Sequence, residues 1–199
     1  MLHWICWKNA ISTYSNNVMK HLGTKTLETS RLLLRRFCID DAQAMYHNWA
    51  SDDQVTKYLT WPSHTSPAVT SAVLQSWVEL YAEPDYYHWA IVLKACGDQP
   101  IGSIAVVSLE DSVKKAQIGY CIGQAWWHKG IMTEALNAVI HFMISEVGMN
   151  RVEAYHDTRN PHSGAVMRKC GMQYEGTLRA SAWNNQGICD ASWYAILAE

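Results

Sequence analysis

The spacing of apolar positions changes several times along the chain, and each change predicts an element. Thr29–Phe37 (TSRLLLRRF) reads as a strand, ended by a helix start at Asp40-Asp41. Ala42, Met45, Tyr46 and Trp49 then fall at helical spacing. Ser66-Pro67 is a cap followed by a permitted first-turn proline. Behind it Val69, Val73, Trp77 and Leu80 mark one helical face. The period then shortens. His88–Lys94 and Ile101–Leu109 are β-rich runs across the turn signal CGDQP, and Lys115–Ile122 is a third. Three strands with short connections predict an antiparallel meander.

A glycine loop, GQAWWHKGIM, leads into a long amphipathic helix. Ala135, Val139, Phe142 and Met143 line one face, and Gly148 is the stop. Arg151–His156 is a strand, and Asn160-Pro161 opens a short helix ending at Gly171. Met172–Trp183 and Ile188–Leu197 form a hairpin across Asn184-Asn185-Gln186-Gly187. The order β-α-α-β-β-β-α-β-α-β-β predicts an α/β (α+β) domain with a mostly antiparallel mixed sheet. The helical crossover Lys115–His156 makes its two strands parallel.

Composition narrows the class. The 199 residues suit about one domain. With 49% hydrophobic and 17% charged residues, a packed core is affordable and bulk disorder is excluded. A net charge of −2 argues against nucleic acid as partner. No apolar run reaches about 18 residues, so no membrane span is expected. Residues 1–24 lack the basic start and cleavage site of a secretory signal and turn polar and aperiodic after Lys8. They are expected to form an extension, with Met19 a second possible start and 25–199 the folded domain. The six cysteines show no metal or disulfide spacing and read as free thiols in a reducing cytosol.

The strongest chemical signal is Trp127-His128-Lys129-Gly130-Ile131-Met132-Thr133-Glu134, between a strand and a long helix. Gly130 permits a close turn, and the amides after it are the unsatisfied, partially positive donors of a helix N-terminus. Such a group suits a pyrophosphate; an ordinary tight β-α turn is the plainer reading. Asn160 and Gly171 are equally readable as helix caps.

Taken in order, LETSRLLLRRF, IGSIAVV, AQIGYCI, WWHKGIMTEAL, NRVEAYHDTRNPHSGAVMRKCGM and YEGTLRASAWNNQGICDASWYAIL resemble the GCN5-related N-acetyltransferases (GNAT) from Leu27 to Leu197. Within them the chain is similar to the ribosomal-protein N-terminal alanine acetyltransferases. The resemblance implies a six- to seven-stranded sheet with flanking helices and one splayed parallel pair. By position the pair is Tyr120-Cys121-Ile122 and Val152-Glu153-Ala154. It also implies acetyl-CoA as donor, with the pyrophosphate against amides of His128, Lys129, Gly130, Ile131, Met132 and Thr133. Asn160 matches the family asparagine on the cofactor arm, and Lys169 lies near the expected nucleotide end. Tyr120, Cys121 and Ile122 would flank the thioester, with amides near Cys121 and Ile122 facing the developing oxyanion.

Many family members carry a tyrosine as thiolate acid where this chain has Met167. Ser163 matches the serine given that role in the ribosomal-protein group; the alternative is a helix first-turn hydroxyl. The family carboxylates map to Ala182 and Gln117, neither of which takes a proton. Glu134 reads as a helix-dipole partner, and His156 and Asp190 could act only through water. Without a strong base, an α-amine (pKa about 8, roughly a tenth neutral at pH 7) is favoured over a lysine amine, neutral in about one molecule in 2,500. No acidic cluster for a polyamine is visible. Tyr58, Trp61, His64 and Trp183 are the expected acceptor wall, or else core and lid packing. The expected protein is a cytoplasmic, metal-free acetyltransferase, monomer or homodimer, acting on an N-terminal α-amine of a protein or peptide. The alternatives are a small-amine or antibiotic acetyltransferase and a non-catalytic CoA-binding member.

Overall fold

The computed structural model describes residues 19–199. The strands are β1 (Leu27–Glu28), β2 (Leu32–Arg35), β3 (His88–Leu93), β4 (Pro100–Glu110), β5 (Lys115–Ile122), β6 (Arg151–Asp157), β7 (Gln173–Asn184) and β8 (Gly187–Leu197). The helices are α1 (Ala42–Met45), α2 (Asp53–Thr56), α3 (Pro67–Leu80), α4 (Ile131–His141) and α5 (Pro161–Lys169). Helices α1 and α4 each run on into a π-helical turn, Tyr46–Ala50 and Phe142–Glu146.

The strands form one sheet in the order β1-β2-β3-β4-β5-β6-β8-β7. All neighbours are antiparallel except β5 and β6, the pair joined through α4. The eighth strand is the two-residue β1, which folds back on β2 and lies just before the run Thr29–Phe37 that reads as a strand in sequence.

Alternation along the strands divides the apolar residues between two cores. On one face Trp89, Ile91, Ile104 and Ile118 meet Ala135, Leu136 and Val139 of α4 and Phe142 behind it. Truncating a fully buried residue here, such as Leu136→Ala, should cost about 2–5 kcal/mol. On the other face Ala90 and the partly buried Cys121 meet Phe37, Trp49 and Leu74 from the α1–α3 side. The buried stripe of α3 is Thr70, Leu74 and, partly, Trp77, whereas Val69 and Leu80 are exposed. The expected stripe was therefore rotated by one residue: Ser66 caps the helix as foreseen, but the Thr70 hydroxyl meets His64 and turns inward.

Of the expected extension, residues 1–18 lie outside the described residues. Met19–Thr24 do not stand apart from the domain. Met19 and Leu22 pack on the larger core. The Thr24 hydroxyl donates to the Tyr86 carbonyl at 2.9 Å and accepts the His88 amide at 2.9 Å. The polar look of this segment conceals a side chain that completes the backbone bonding at the start of β3. The five described cysteines are all free thiols; Cys6 falls outside the described residues.

Candidate active site

The central feature is a gap in the sheet. Strands β5 and β6 pair only at Lys115–Arg151, Ala116–Val152 and Gln117–Glu153. Beyond that β5 continues to Ile122 and β6 to Asp157, each still paired on its outer side, to β4 and β8. The separated part of β6 is thus Ala154–Asp157; Val152 and Glu153, expected to be splayed, are still in the ladder. The Gly123 amide donates to Ile101 of β4. Antiparallel ladders alternate, so the Tyr120 and Ile122 amides turn the other way, into the gap. The same alternation leaves the Cys121 amide to β4.

One cavity, about 510 Å³, opens on the α4–α5 side. It is lined by Tyr120, Cys121, Ile122, His128, Gly130, Ile131, Met132, Thr133, Asn160, Ser163 and Lys169, with Trp126, Trp127 and His162 also present. His128 takes a positive φ of 58° and Gly130 one of 72°. These left-handed turns drive the chain abruptly into α4, which starts with no side chain capping it. The first return bond is Glu134 N–H to the Gly130 carbonyl, so the amides of Ile131–Thr133 remain available. The loop is braced from behind. Arg31 donates to the Lys129 carbonyl at 3.0 Å and to Glu134 at 2.6 Å. Burial would raise the Glu134 carboxyl, but donors from Thr29 and Arg31 outweigh it and hold it down at about 2. Lys129, expected at the cofactor, is exposed and lines neither cavity; its carbonyl serves the brace.

The second cavity, about 440 Å³, lies on the α1–α3 side and shares Tyr58, Leu59, Tyr120, Cys121, Asn160 and Ser163 with the first. Tyr58, Trp61 and Trp183 line it, joined by Trp49, Trp77 and Tyr155. His64 does not. Its amide donates to the Ala50 carbonyl, Nδ1 is tied to Thr70 at 2.8 Å, and its ring backs Trp61 at 5.3 Å. It supports the wall without forming it. Asn160 precedes α5 but makes no side-chain cap; it stands where the two cavities meet.

The proton-handling groups sit around this junction. Ser163 Oγ is 3.0 Å from the Tyr120 hydroxyl, which is also 3.0 Å from the Ser163 carbonyl. A carbonyl only accepts, so the tyrosine donates there and the serine hydroxyl donates to the phenol oxygen. Burial pushes the Tyr120 phenol far up. Met167 is buried in the core and contributes no polar group. Gln117 lines the acceptor-side cavity. Asp190 is taken up by the Ala180 amide.

Sequence reading missed Asp157 here and gave His156 only a role through water. Asp157 lines the second cavity with its carboxylate buried. Burial would raise it, but Arg159 and Asn184 hold it well below the usual carboxylate range, so it stays ionised and is a weak base. His156 is tied through Nδ1 to the Asp157 carbonyl at 2.8 Å. Its Nε2 is buried, without a partner, against Gly164. Asp157 reads as the plain end of a strand, and only the gap beside β6 gives it and His156 a cavity.

A split parallel pair, a glycine-turned helix start beside it and two cavities meeting at the split define an acyltransferase arrangement. Residues 31–173 match the family model for the acetyltransferase (GNAT) domain, and the chain belongs to that family of N-acetyltransferases. It is 31% identical over 171 residues to the uncharacterized N-acetyltransferase YoaA of Bacillus subtilis, covering 86% of this chain and 96% of that one. It is 28% identical over 170 residues to the [ribosomal protein uS5]-alanine N-acetyltransferase of Escherichia coli, covering 82% and 84%. In fold it matches RimL, the ribosomal L7/L12 alpha-N-protein acetyltransferase solved with coenzyme A. There the TM-score is 0.78 at 21% identity, covering 87% of this chain and 98% of that one.

Proposed function

We propose that the protein transfers acetyl from acetyl-CoA to a neutral primary amine, the N-terminal α-amine of a protein or peptide. The observation that carries this is the gap beyond Gln117 and Glu153, with free amides on one strand and a cavity on either side.

The α4–α5 cavity is the donor side. The amides of Ile131, Met132 and Thr133 and the positive end of α4 would take the pyrophosphate. The pantetheine arm would run along the unpaired edge of β5, past Asn160. Lys169, at the end of α5, suits the nucleotide phosphates. The thioester carbonyl would then lie by the Tyr120 and Ile122 amides, donors fixed before the oxyanion forms. As the C–S bond breaks, the Ser163 hydroxyl, positioned beside Tyr120, would turn its proton into a hydrogen bond to the departing thiolate, which leaves as such and is protonated from water. A free thiol has a pKa near 8.5, so little assistance is required.

The α1–α3 cavity is the acceptor side. Its aromatic lining suits an amine carried on an apolar body or a peptide's first residues. Relatives that acetylate ribosomal-protein N-termini support the α-amine reading. Cytoplasmic action fits that substrate.

The test is release of free CoA thiol with a panel of peptides bearing free α-amines, lysine peptides with blocked N-termini, polyamines and small aromatic amines. The expected result is turnover strongest with α-amines. Exclusive use of small amines would redirect the acceptor, and acetyl-CoA binding without turnover would make the protein a binding module.

A further inference from the structure

An amine that becomes an amide gives up a proton, which must leave the site. Both family carboxylate positions are occupied by residues that cannot take it; Asp157 is held ionised by Arg159 and Asn184, and the unpartnered Nε2 of His156 is buried against Gly164. The floor of the acceptor cavity holds another group. His88 on β3 is only 6% exposed, with Trp77 at 4.1 Å and Phe37 at 5.3 Å between ring centroids. An apolar ring would pack there without the cost of burying an imidazole. Instead both its nitrogens meet hydroxyls. Nε2 is 2.7 Å from Ser103 Oγ, and Nδ1 is 2.9 Å from the Tyr86 hydroxyl.

The placement of this chain of groups matters. His88 and Ser103 both line the acceptor cavity, and Tyr86 is half-buried on the far side. Ser103 is the cross-strand partner of Cys121. Such partners hold their Cβ atoms about 5 Å apart on one face. Cys121 lies in both cavities, between the Tyr120 and Ile122 amides that face the gap. The histidine backbone is pinned as well: its amide donates to Thr24 and its carbonyl accepts from Tyr81. Burial pushes His88 down to about 3, and the neighbouring phenols of Tyr81 and Tyr86 are pushed up. The imidazole is therefore neutral at working pH, with one nitrogen always free to accept.

We propose that Ser103, His88 and Tyr86 form a relay that carries the acceptor's proton out of the active site. The relay rests on the acetyl-transfer reading above. With Nδ1–H donating to Tyr86, Nε2 accepts from the Ser103 hydroxyl, and the serine turns its lone pairs to the cavity. After attack, the adduct's N–H bond breaks as Ser103 Oγ takes that proton. The serine's own proton passes to Nε2, the Nδ1 proton passes to Tyr86, and the tyrosine proton passes to water. One proton leaves, each hydroxyl ends with one, and the imidazole is left as its other tautomer. Ser103 is the catalytic residue of this relay; His88 and Tyr86 are positioning residues.

Turnover of Ser103→Ala, Ser103→Thr and Tyr86→Phe is to be measured with an α-amine peptide, alongside melting temperature and acetyl-CoA KM. Ser103→Ala should lower kcat by about 100-fold, the scale of acid–base assistance, with acetyl-CoA KM unchanged. Ser103→Thr, which keeps the hydroxyl, should recover most of the rate, and Tyr86→Phe should lose roughly tenfold. The solvent deuterium effect on kcat in wild type should report several protons in flight and fall in Ser103→Ala. Wild-type kcat in a folded Ser103→Ala protein overturns the relay alone. So does a Thr variant that melts like wild type and stays as slow as Ala. A wild type that binds acetyl-CoA and acetylates no amine overturns the transfer reading, and the relay with it.

Discussion

The two cavities that meet at the split sheet are built by different means. The donor cavity is mostly backbone: two positive-φ turns at His128 and Gly130, an uncapped helix start and a strand edge with no partner. The acceptor cavity is mostly side chain: four tryptophans, three tyrosines and a floor of His88 and Ser103. A backbone site recognises a constant group, the pyrophosphate, by geometry that few substitutions alter. A side-chain site can be changed one residue at a time. On the proposed reading, the fixed substrate and the variable substrate are divided between the two kinds of construction.

The sharpest way to break this division is Gly130→Asp. It forces a side chain into a φ of 72° and puts a like charge beside the phosphates. Strain of about 1–3 kcal/mol and the lost dipole attraction together should weaken acetyl-CoA by about 100-fold or more. Calorimetric titration with CoA reads this directly, and unchanged affinity in the folded variant would remove the donor site from the α4 loop.

Ser163→Ala comes next. Removing the hydroxyl held by Tyr120 should lower kcat about tenfold while leaving acetyl-CoA affinity intact. A wild-type rate would reduce Ser163 to a first-turn hydroxyl. Trp61→Ala tests the other side: acceptor KM should rise several-fold, consistent with about 1–2 kcal/mol of aromatic burial, and acetyl-CoA KM should not move. A change in both constants would show that the cavities are not independent.

The smallest effect is on stability. His88, lowered from 6.5 to about 3, and His64, also lowered by burial, stay neutral in the fold while they protonate in the unfolded chain. The unfolded state then binds more protons, so stability is complete above about pH 6.5 and falls as the pH drops below it. Glu134, lowered to about 2 from 4.5, loses its contribution only below about pH 4.5. The acceptor side should therefore weaken first on acidification, measured by denaturant unfolding at pH 7, 5.5 and 4. Constant stability between pH 7 and 5.5 would contradict the neutral burial of His88.

The same contrast explains what could be read in the sequence. The donor loop was legible because Gly130 and the apolar period of α4 are local signals, and family resemblance added Asn160 and Ser163. The acceptor floor was not. His88 and Ser103 come together only through the β3–β4 pairing, and β6 opens its cavity only because its ladder with β5 stops at Glu153. His64 and Lys129 sit beside the true linings, one residue type or one turn removed, where sequence position cannot tell a wall from its support. The packing of Thr24 was hidden for a similar reason: it is polar and yet 3% exposed, because its hydroxyl completes the bonding of Tyr86 and His88.

Amide NMR during titration with CoA tests the division of the site most directly. The amides of Ile131, Met132 and Thr133, followed by those of Tyr120 and Ile122 along the strand edge, should shift on binding, while His88 and Ser103 remain still until an amine acceptor is added. Shifts confined to the acceptor cavity, or absent from the start of α4, would contradict the account.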